Sequence, residues 1–232
     1  MSQPTDPAPK VTVGVDIGGT FTDVVFLVDD GRLLSTKVPS TPDAPIRGVI
    51  DGIKKLTAAL GGRADIDRIA HGTTVATNAL LERRGARIGI LTTKGFEDVL
   101  EIGRQSRSDM YDLLFGPQAP VFLAPRRLRV GIRERVDARG RIVTPLDEEE
   151  VRAAVRTLRE RYQVEAVAVC YLFSYLNPQH EERTAQIIHE EFPELGVSLS
   201  SRIDPVIREY ERLVVTAFDA YLRPVVESYL RT

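Results

Sequence analysis

The sequence lacks most of the features that would assign a protein quickly. It holds one cysteine, Cys170, in 232 residues, so no disulfide can form within the chain. The position of Cys170 inside the apolar run AVAVCYLF reads as a buried, inert thiol. Hydrophobic runs are short. That stretch, residues 166–173, is among the longest and falls far below the length needed to cross a bilayer. The opening MSQPTDPAP lacks the basic-then-apolar order of a secretion signal, and residues 1–10 read as a loose, disordered tail. Neither sign of charge dominates. With 31 basic and 33 acidic residues the net charge is −2, which excludes broad attraction to nucleic acid or to an anionic membrane. No internal repeat is visible. The lysine of a P-loop is missing, as is a GxGxxG that opens a helix. A cytoplasmic protein that recognises a small ligand locally is the expectation.

What remains is ordinary globular composition, 43% hydrophobic and 28% charged, with strong local patterns. Val11, Val13, Val15 and Ile17 alternate with Thr12, Gly14 and Asp16, the period of a half-buried strand, which puts Asp16 on the face opposite the valines. Gly18 and Gly19 turn the chain, TFTDVVFLV returns, and RLLSTKV follows the turn DDG, giving an antiparallel meander of three strands. Ile46, Val49, Ile50, Ile53, Leu56 and Leu60 recur at helical spacing and stop at Gly61 and Gly62. Next come a strand RIAHG, a helix TVATNALLERR, a strand RIGILTT, a helix GFEDVLEIG and an irregular arm from Arg104 to about Arg126. RLRVGIRERVD and RIVTPL form a hairpin around ARG. Asp147 and Glu150 start a helix in the manner of a capping box, with Val151, Val155, Leu158 and Tyr162 on its apolar side. A strand AVAVCYLF, a helix opened by Asn177 and Pro178, a strand VSLSSRI and a final helix EYERLVVTAFDAYLRPVVESYL complete the chain. The fold class is α/β, with a mixed sheet opened by the meander and helices on both faces. The last helix carries a broad apolar stripe, contains Pro224 and reaches Leu230 without a stop signal, so the chain is expected to be cut within an element.

The stretch DIGGTFTD, residues 16–23, places more chemistry between two strands than a turn requires. A bend without side chains lets backbone N–H groups approach an anion, and adjacent hydroxyls add hydrogen bonds to phosphate oxygens. A carboxylate beside it suits hydrated magnesium, which takes one or two carboxylates plus substrate phosphates. Asp16 fits that role through water. A plain glycine hairpin with polar residues facing solvent is equally compatible with the spacing.

The segments VGVDIGGTFTDVV, HGTTVATNALLERRGARIGILTTKGFEDVLEIGRQSR, RERVDARGRIVTPLDEEEV and REYERLVVTAFDAYLRP closely resemble the N-terminal part of the hydantoinase A, 5-oxoprolinase and acetone carboxylase β-subunit family. DIGGT also occurs in sugar kinases of the actin-like superfamily, where a lysine commonly follows; Phe21 stands there instead, which favours the hydantoinase branch. The resemblance implies half of an actin-like, ribonuclease H-like ATPase, with residues 11–200 as the family's N-terminal domain and 201–232 as the start of a second. It implies ATP and Mg2+ as cofactors, Asp16 and Asp23 as the catalytic carboxylates, and Gly18, Gly19, Thr20 and Thr22 at the nucleotide phosphates. The activity implied is ATP-dependent opening of a cyclic amide, or alternatively carboxylation of a ketone. A sugar kinase and a non-catalytic assembly module are the rival readings. The chain departs from the family's pattern at Leu213, Val214 and Asp219, and no second DxGGT follows Asp23. It is therefore expected to be inactive alone and to need the missing C-terminal part or a hydantoinase B-like partner subunit.

His71, Thr73, Thr74 and Asn78 join a strand to a helix and are candidates for binding the substrate, with a simple helix cap as the plainer role for the threonines. Arg104, Gln105 and Arg107 open the irregular arm, where Arg104 is a candidate substrate contact and a solvated basic loop is the simpler reading. His180 and His189 are expected on a polar helix surface, too far apart to hold a metal. Tyr210, Glu211 and Arg212 are expected to flank the last helix.

Overall fold

The computed structural model describes residues 7–41, 44–105, 120 and 122–231, and the chain divides into two compact units, residues 1–82 with 226–232 and residues 83–225. In the first unit, β1 (Lys10–Ile17), β2 (Phe21–Val28) and β3 (Leu33–Pro39) form the expected meander. α1 (Pro45–Ala59) then leads to β4 (Asp65–Thr73), which pairs in parallel with β1, and α2 (Val75–Leu81) follows. The strand order β3-β2-β1-β4 is therefore mixed. Val11, Val13, Val15, Val24, Phe26 and Val28 fill one face of this sheet, and α1 covers it with Val49 and Leu56. Glycines at one-turn spacing permit this contact: a Cβ on Gly52 would stand 2.5 Å from Val24 Cγ2, and one on Gly48 3.1 Å from Thr22 Oγ1. The helix stops where Gly61 and Gly62 take φ of 82° and 85° and donate to the carbonyls of Ala58 and Thr57.

The opposite face of the first sheet carries Gly14, Asp16, Asp23 and Val25, together with Ala70 and Gly72 from β4. β4 is exposed at every position.

The second unit contains β5 (Ile88–Thr93), α3 (Val99–Ile102), β6 (Arg129–Ile132), β7 (Arg135–Val136), β8 (Ile142–Thr144), α4 (Glu148–Arg156), β9 (Ala166–Cys170), α5 (Gln179–Glu191), β10 (Gly196–Leu199), α6 (Ser200–Ile203) and α7 (Glu209–Arg231), whose last turns belong to the first unit. A four-stranded parallel sheet, β10-β9-β5-β6, lies at its centre. Its two middle strands are buried along their whole length, as a parallel sheet covered on both sides requires. Leu158, in the π turn that continues α4, packs on Gly89, while Asp219 of α7 accepts from Ser198 on the other side.

Several expectations change. One main sheet was expected and two four-stranded sheets are formed, and helices cover both faces only of the second. The RVGI stretch does not join the hairpin: it becomes β6 and pairs with β5, leaving a short β7–β8 ribbon around Asp137. Alternation along a strand specifies its faces, not its partner. The segment SSRI turns helical instead of extending β10, because Glu181 accepts from both the Ser200 hydroxyl and the Ser201 N–H. The helices expected from TVATNALLERR and GFEDVLEIG shrink to seven and four residues.

His180, expected on a surface, and Arg212, expected only to flank the last helix, are both interior. His180 is buried and its Nδ1 lies 2.8 Å from Glu134, whose other oxygen accepts from Thr93, whereas His189 is exposed as expected. Arg212 is fully buried: it donates to the carbonyls of Tyr171 and Val206 and to Ser200, which passes a hydrogen bond to Glu181. A buried cation persists only when its donors are satisfied, and this network satisfies them.

Candidate functional site

The glycine turn joins the C-terminal end of β1 to β2. Gly18 N–H donates to the Phe21 carbonyl at 3.0 Å, which leaves Gly19 and Thr20 at the tip. Neither glycine takes a left-handed backbone, so space is what matters there. A Cβ on Gly18 would stand 3.1 Å from the Phe21 carbonyl, while one on Gly19 would meet nothing within 4 Å. The N–H groups of Gly19 and Thr20 have no acceptor among the described residues. An open tip with undirected donors suits an approaching anion.

Asp16 and Asp23 are register partners across β1 and β2 on the open side of the sheet. They line a shallow depression of about 420 Å³ together with Gly14, Val25, Ala70 and Gly72. Gly72 sits beside Asp16 in the parallel register, and the absence of a side chain there leaves the carboxylate accessible. Asp23 has Lys37 at 3.3 Å, while Asp16 has no partner among the described residues. No group of three or more potential metal-binding side chains occurs among the described residues. Two carboxylates fit magnesium only if phosphate and water oxygens complete its shell, which is how that ion is commonly held.

The other candidates divide. β1 and β4 are parallel, so Thr73 and Thr74 reach the same end of the sheet as the glycine turn, Thr73 being in register with Ile17. Both threonines are engaged locally. Thr73 Oγ1 accepts from Val75 N–H at 3.2 Å, and Thr74 Oγ1 from the Asn78 amide at 3.3 Å. His71 is in register with Val15, and its Nε2 lies 2.6 Å from the Tyr229 hydroxyl. Thr22 is fully buried on the α1 side, where its hydroxyl meets Ser40, so it is not brought together with the carboxylates. Arg104 belongs to the second unit and is taken by Glu211 at 2.7 Å; Arg107 lies outside the described residues.

Sequence reading missed Ser40. Its hydroxyl donates to the Gly18 carbonyl at 2.8 Å and its N–H to the Thr20 carbonyl at 2.9 Å. No local motif marks it, since it lies 22 residues from the turn it touches.

The glycine turn and Asp16 lie at the carboxyl end of β1, beside the carboxyl end of its parallel neighbour β4, the end of a sheet at which α/β folds bind ligands. The family model for the hydantoinase/oxoprolinase N-terminal region matches residues 12–192. The chain belongs to that family. It is similar to caprolactamase subunit alpha of Pseudomonas jessenii, with 38% identity over 94% of this chain and 32% of the relative. It is also similar to 5-oxoprolinase 1 of Arabidopsis thaliana, with 34% identity over 95% of this chain and 19% of that protein. Among solved structures, the ATP-dependent caprolactamase from Pseudomonas jessenii superposes with a TM-score of 0.84 at 37% identity, over 95% of this chain and 32% of the other. Nucleotide-free acetone carboxylase, from work on ATP-dependent acetone carboxylation, gives 0.83 at 28% identity, over 95% and 33%. This member of the family thus spans about a third or less of the length of these relatives. No helix among the described residues is long and apolar enough to cross a membrane.

Proposed function

We propose that this region binds the phosphates of ATP at the Gly18–Thr20 turn, as the N-terminal part of an ATP-dependent enzyme that opens a cyclic amide. The observation that carries the reading is the pairing of Asp16 with Asp23 beside a turn whose tip amides have no acceptor among the described residues. Phosphate oxygens would accept from those amides. Asp16, through water, and Asp23 would hold Mg2+, which when bound neutralises charge on the phosphoryl group being transferred. The meander, the helix and the parallel strand β4 agree with half of an actin-like ATPase. The cyclic-amide class is supported by the relatives named caprolactamase and 5-oxoprolinase. Ketone carboxylation is the second reading, supported by the likeness to acetone carboxylase.

The substrate-binding role expected for His71, Thr73, Thr74 and Asn78 belongs to the same proposal, since Thr73 and Thr74 stand at the end of the sheet that carries the turn. Turnover would require the remainder of the enzyme or a partner subunit, with a domain boundary near residue 200, close to where the family match ends. A cytoplasmic setting, where ATP is supplied, completes the reading.

Calorimetric titration of the chain with magnesium-ATP tests it. Binding that is lost in Asp16→Ala, with hydrolysis appearing only when the C-terminal part of a relative is added, is the expected result. Undetectable affinity in the presence of that added part would overturn the reading and leave an assembly module.

A further inference from the structure

Two carbonyl groups of the glycine turn, those of Gly18 and Thr20, are held by one residue, and the hold on the first bears on the open Gly19 amide. Ser40 follows β3. Its hydroxyl donates to Gly18 O at 2.8 Å, and its own N–H donates to Thr20 O at 2.9 Å. In a trans peptide the C=O and the N–H of the next residue point in opposite directions within one rigid plane. Gripping the Gly18 carbonyl from the β3 side therefore fixes the Gly19 N–H on the outward side. The grip is itself supported. The Ser40 hydroxyl, itself half-buried, lies 3.0 Å from Thr22 Oγ1, and Thr22 is fully buried, so one partner of that bond is shielded from water. Behind Thr22 stands Gly48 of α1, where a Cβ would come within 3.1 Å of Thr22 Oγ1 and 3.4 Å of the Pro39 carbonyl. A larger residue at that position displaces the support.

We infer that Ser40, backed by Thr22 and Gly48, is a positioning residue that presets the Gly19 N–H of the turn for the phosphate chain of a nucleotide. This rests on the proposed ATP site and adds to it the reason why the turn needs no rearrangement when an anion arrives. The buried Thr22 acquires a purpose through this arrangement: it orients the hydroxyl that orients the turn. Preorganised donors gain affinity because the ordering cost is met on folding instead of on binding.

The test compares MgADP with adenosine, which lacks phosphates, by NMR titration of the whole chain. Ser40→Ala is expected to weaken MgADP about tenfold, the worth of a well-directed hydrogen bond to a charged group, and to leave adenosine unchanged. Ser40→Thr restores the hydroxyl and is expected to restore binding, and Thr22→Val lies between them. The melting temperature is read on the same samples. Equal weakening of MgADP and adenosine, or loss of MgADP binding that tracks a lower melting temperature, assigns Ser40 a purely structural part and overturns the inference. If the unaltered chain does not prefer MgADP to adenosine even with the C-terminal part of a relative added, the ATP site itself fails. The brace is then judged by the Gly19 amide resonance, which Ser40→Ala must shift and Ser40→Thr must return; an unmoved resonance sinks it independently.

Discussion

Asp16 and Asp23 stand directly opposite one another across β1 and β2, two carboxylates on the open face of a four-stranded sheet. Like charges in that relation repel, and among the described residues Asp23 has a nearby cation, Lys37 at 3.3 Å, while Asp16 has none. The pair is a cost to the fold that a divalent ion would offset. Asp16→Asn is therefore expected to raise the melting temperature slightly in EDTA and to abolish any further rise on adding magnesium with ATP. Thermal melts of both proteins with and without the ion decide it; an unchanged magnesium response in the variant would remove Asp16 from the site.

Glycine positions separate packing from binding. A methyl group at Gly52 would enter the space of Val24 Cγ2, 2.5 Å away, so Gly52→Ala is expected to cost about 1–3 kcal/mol in urea unfolding. Gly19→Ala points into open space and should leave stability nearly unchanged while weakening nucleotide binding. Equal losses of stability in the two variants would contradict the packing argument.

The buried Arg212 sets a second contrast. Arg212→Ala takes a donor from the Tyr171 and Val206 carbonyls and from Ser200, and removes the cation that reaches the buried Glu181 through Ser200; it is expected to cost about 3–5 kcal/mol. Arg202, whose guanidinium reaches Glu182 on the surface at 3.4 Å, should change stability by about 0.5 kcal/mol or less when replaced by alanine. Chemical denaturation of the two variants provides the comparison.

Acid sensitivity follows from two half-buried aspartates. N–H groups of Arg141 and Arg139, with the Arg141 guanidinium, bring the Asp137 carboxyl down to about 2. The Glu150 N–H and then Arg133 lower that of Asp147, the cap of α4. A lowered folded value means stability that is fully present above the unfolded value of about 3.9 and is lost as pH falls through the folded one. Asp147→Asn and Asp137→Asn should therefore lower the melting temperature near neutrality, where the carboxylates stabilise the fold, and flatten its decline below about pH 4, so that variant and unaltered chain converge in acid. An unaltered acid limb in both variants would show that these contacts are not formed in solution.

Burial pushes the Cys170 thiol up to about 11, so few thiolates exist at neutral pH and none is accessible. A disulfide reagent at pH 8 should react slowly with the folded chain and at once in denaturant. Rapid reaction of the native protein would place Cys170 at a surface.

Much of this was legible in the sequence because the information was local. The alternating valines of β1 and the glycines closing α1 specify their elements through side-chain period and backbone freedom. The Asp147 cap was equally readable, although Glu150 does not complete the box: its carboxylate serves Lys94 and the Arg133 N–H instead. The pairing of β6 with β5 and the interior place of His180 were not readable, since both depend on partners distant in the chain.

The sequence by itself determined the glycine turn, the face on which Asp16 lies and the family to which the chain belongs, since each follows from short-range spacing. Only the tertiary structure decided that Thr22 turns inward, that Asp23 stands against Asp16, and that Ser40 grips the turn. The physical reason is that strand register and the close approach of α1 through Gly48 and Gly52 arise from packing between segments, which no local pattern encodes.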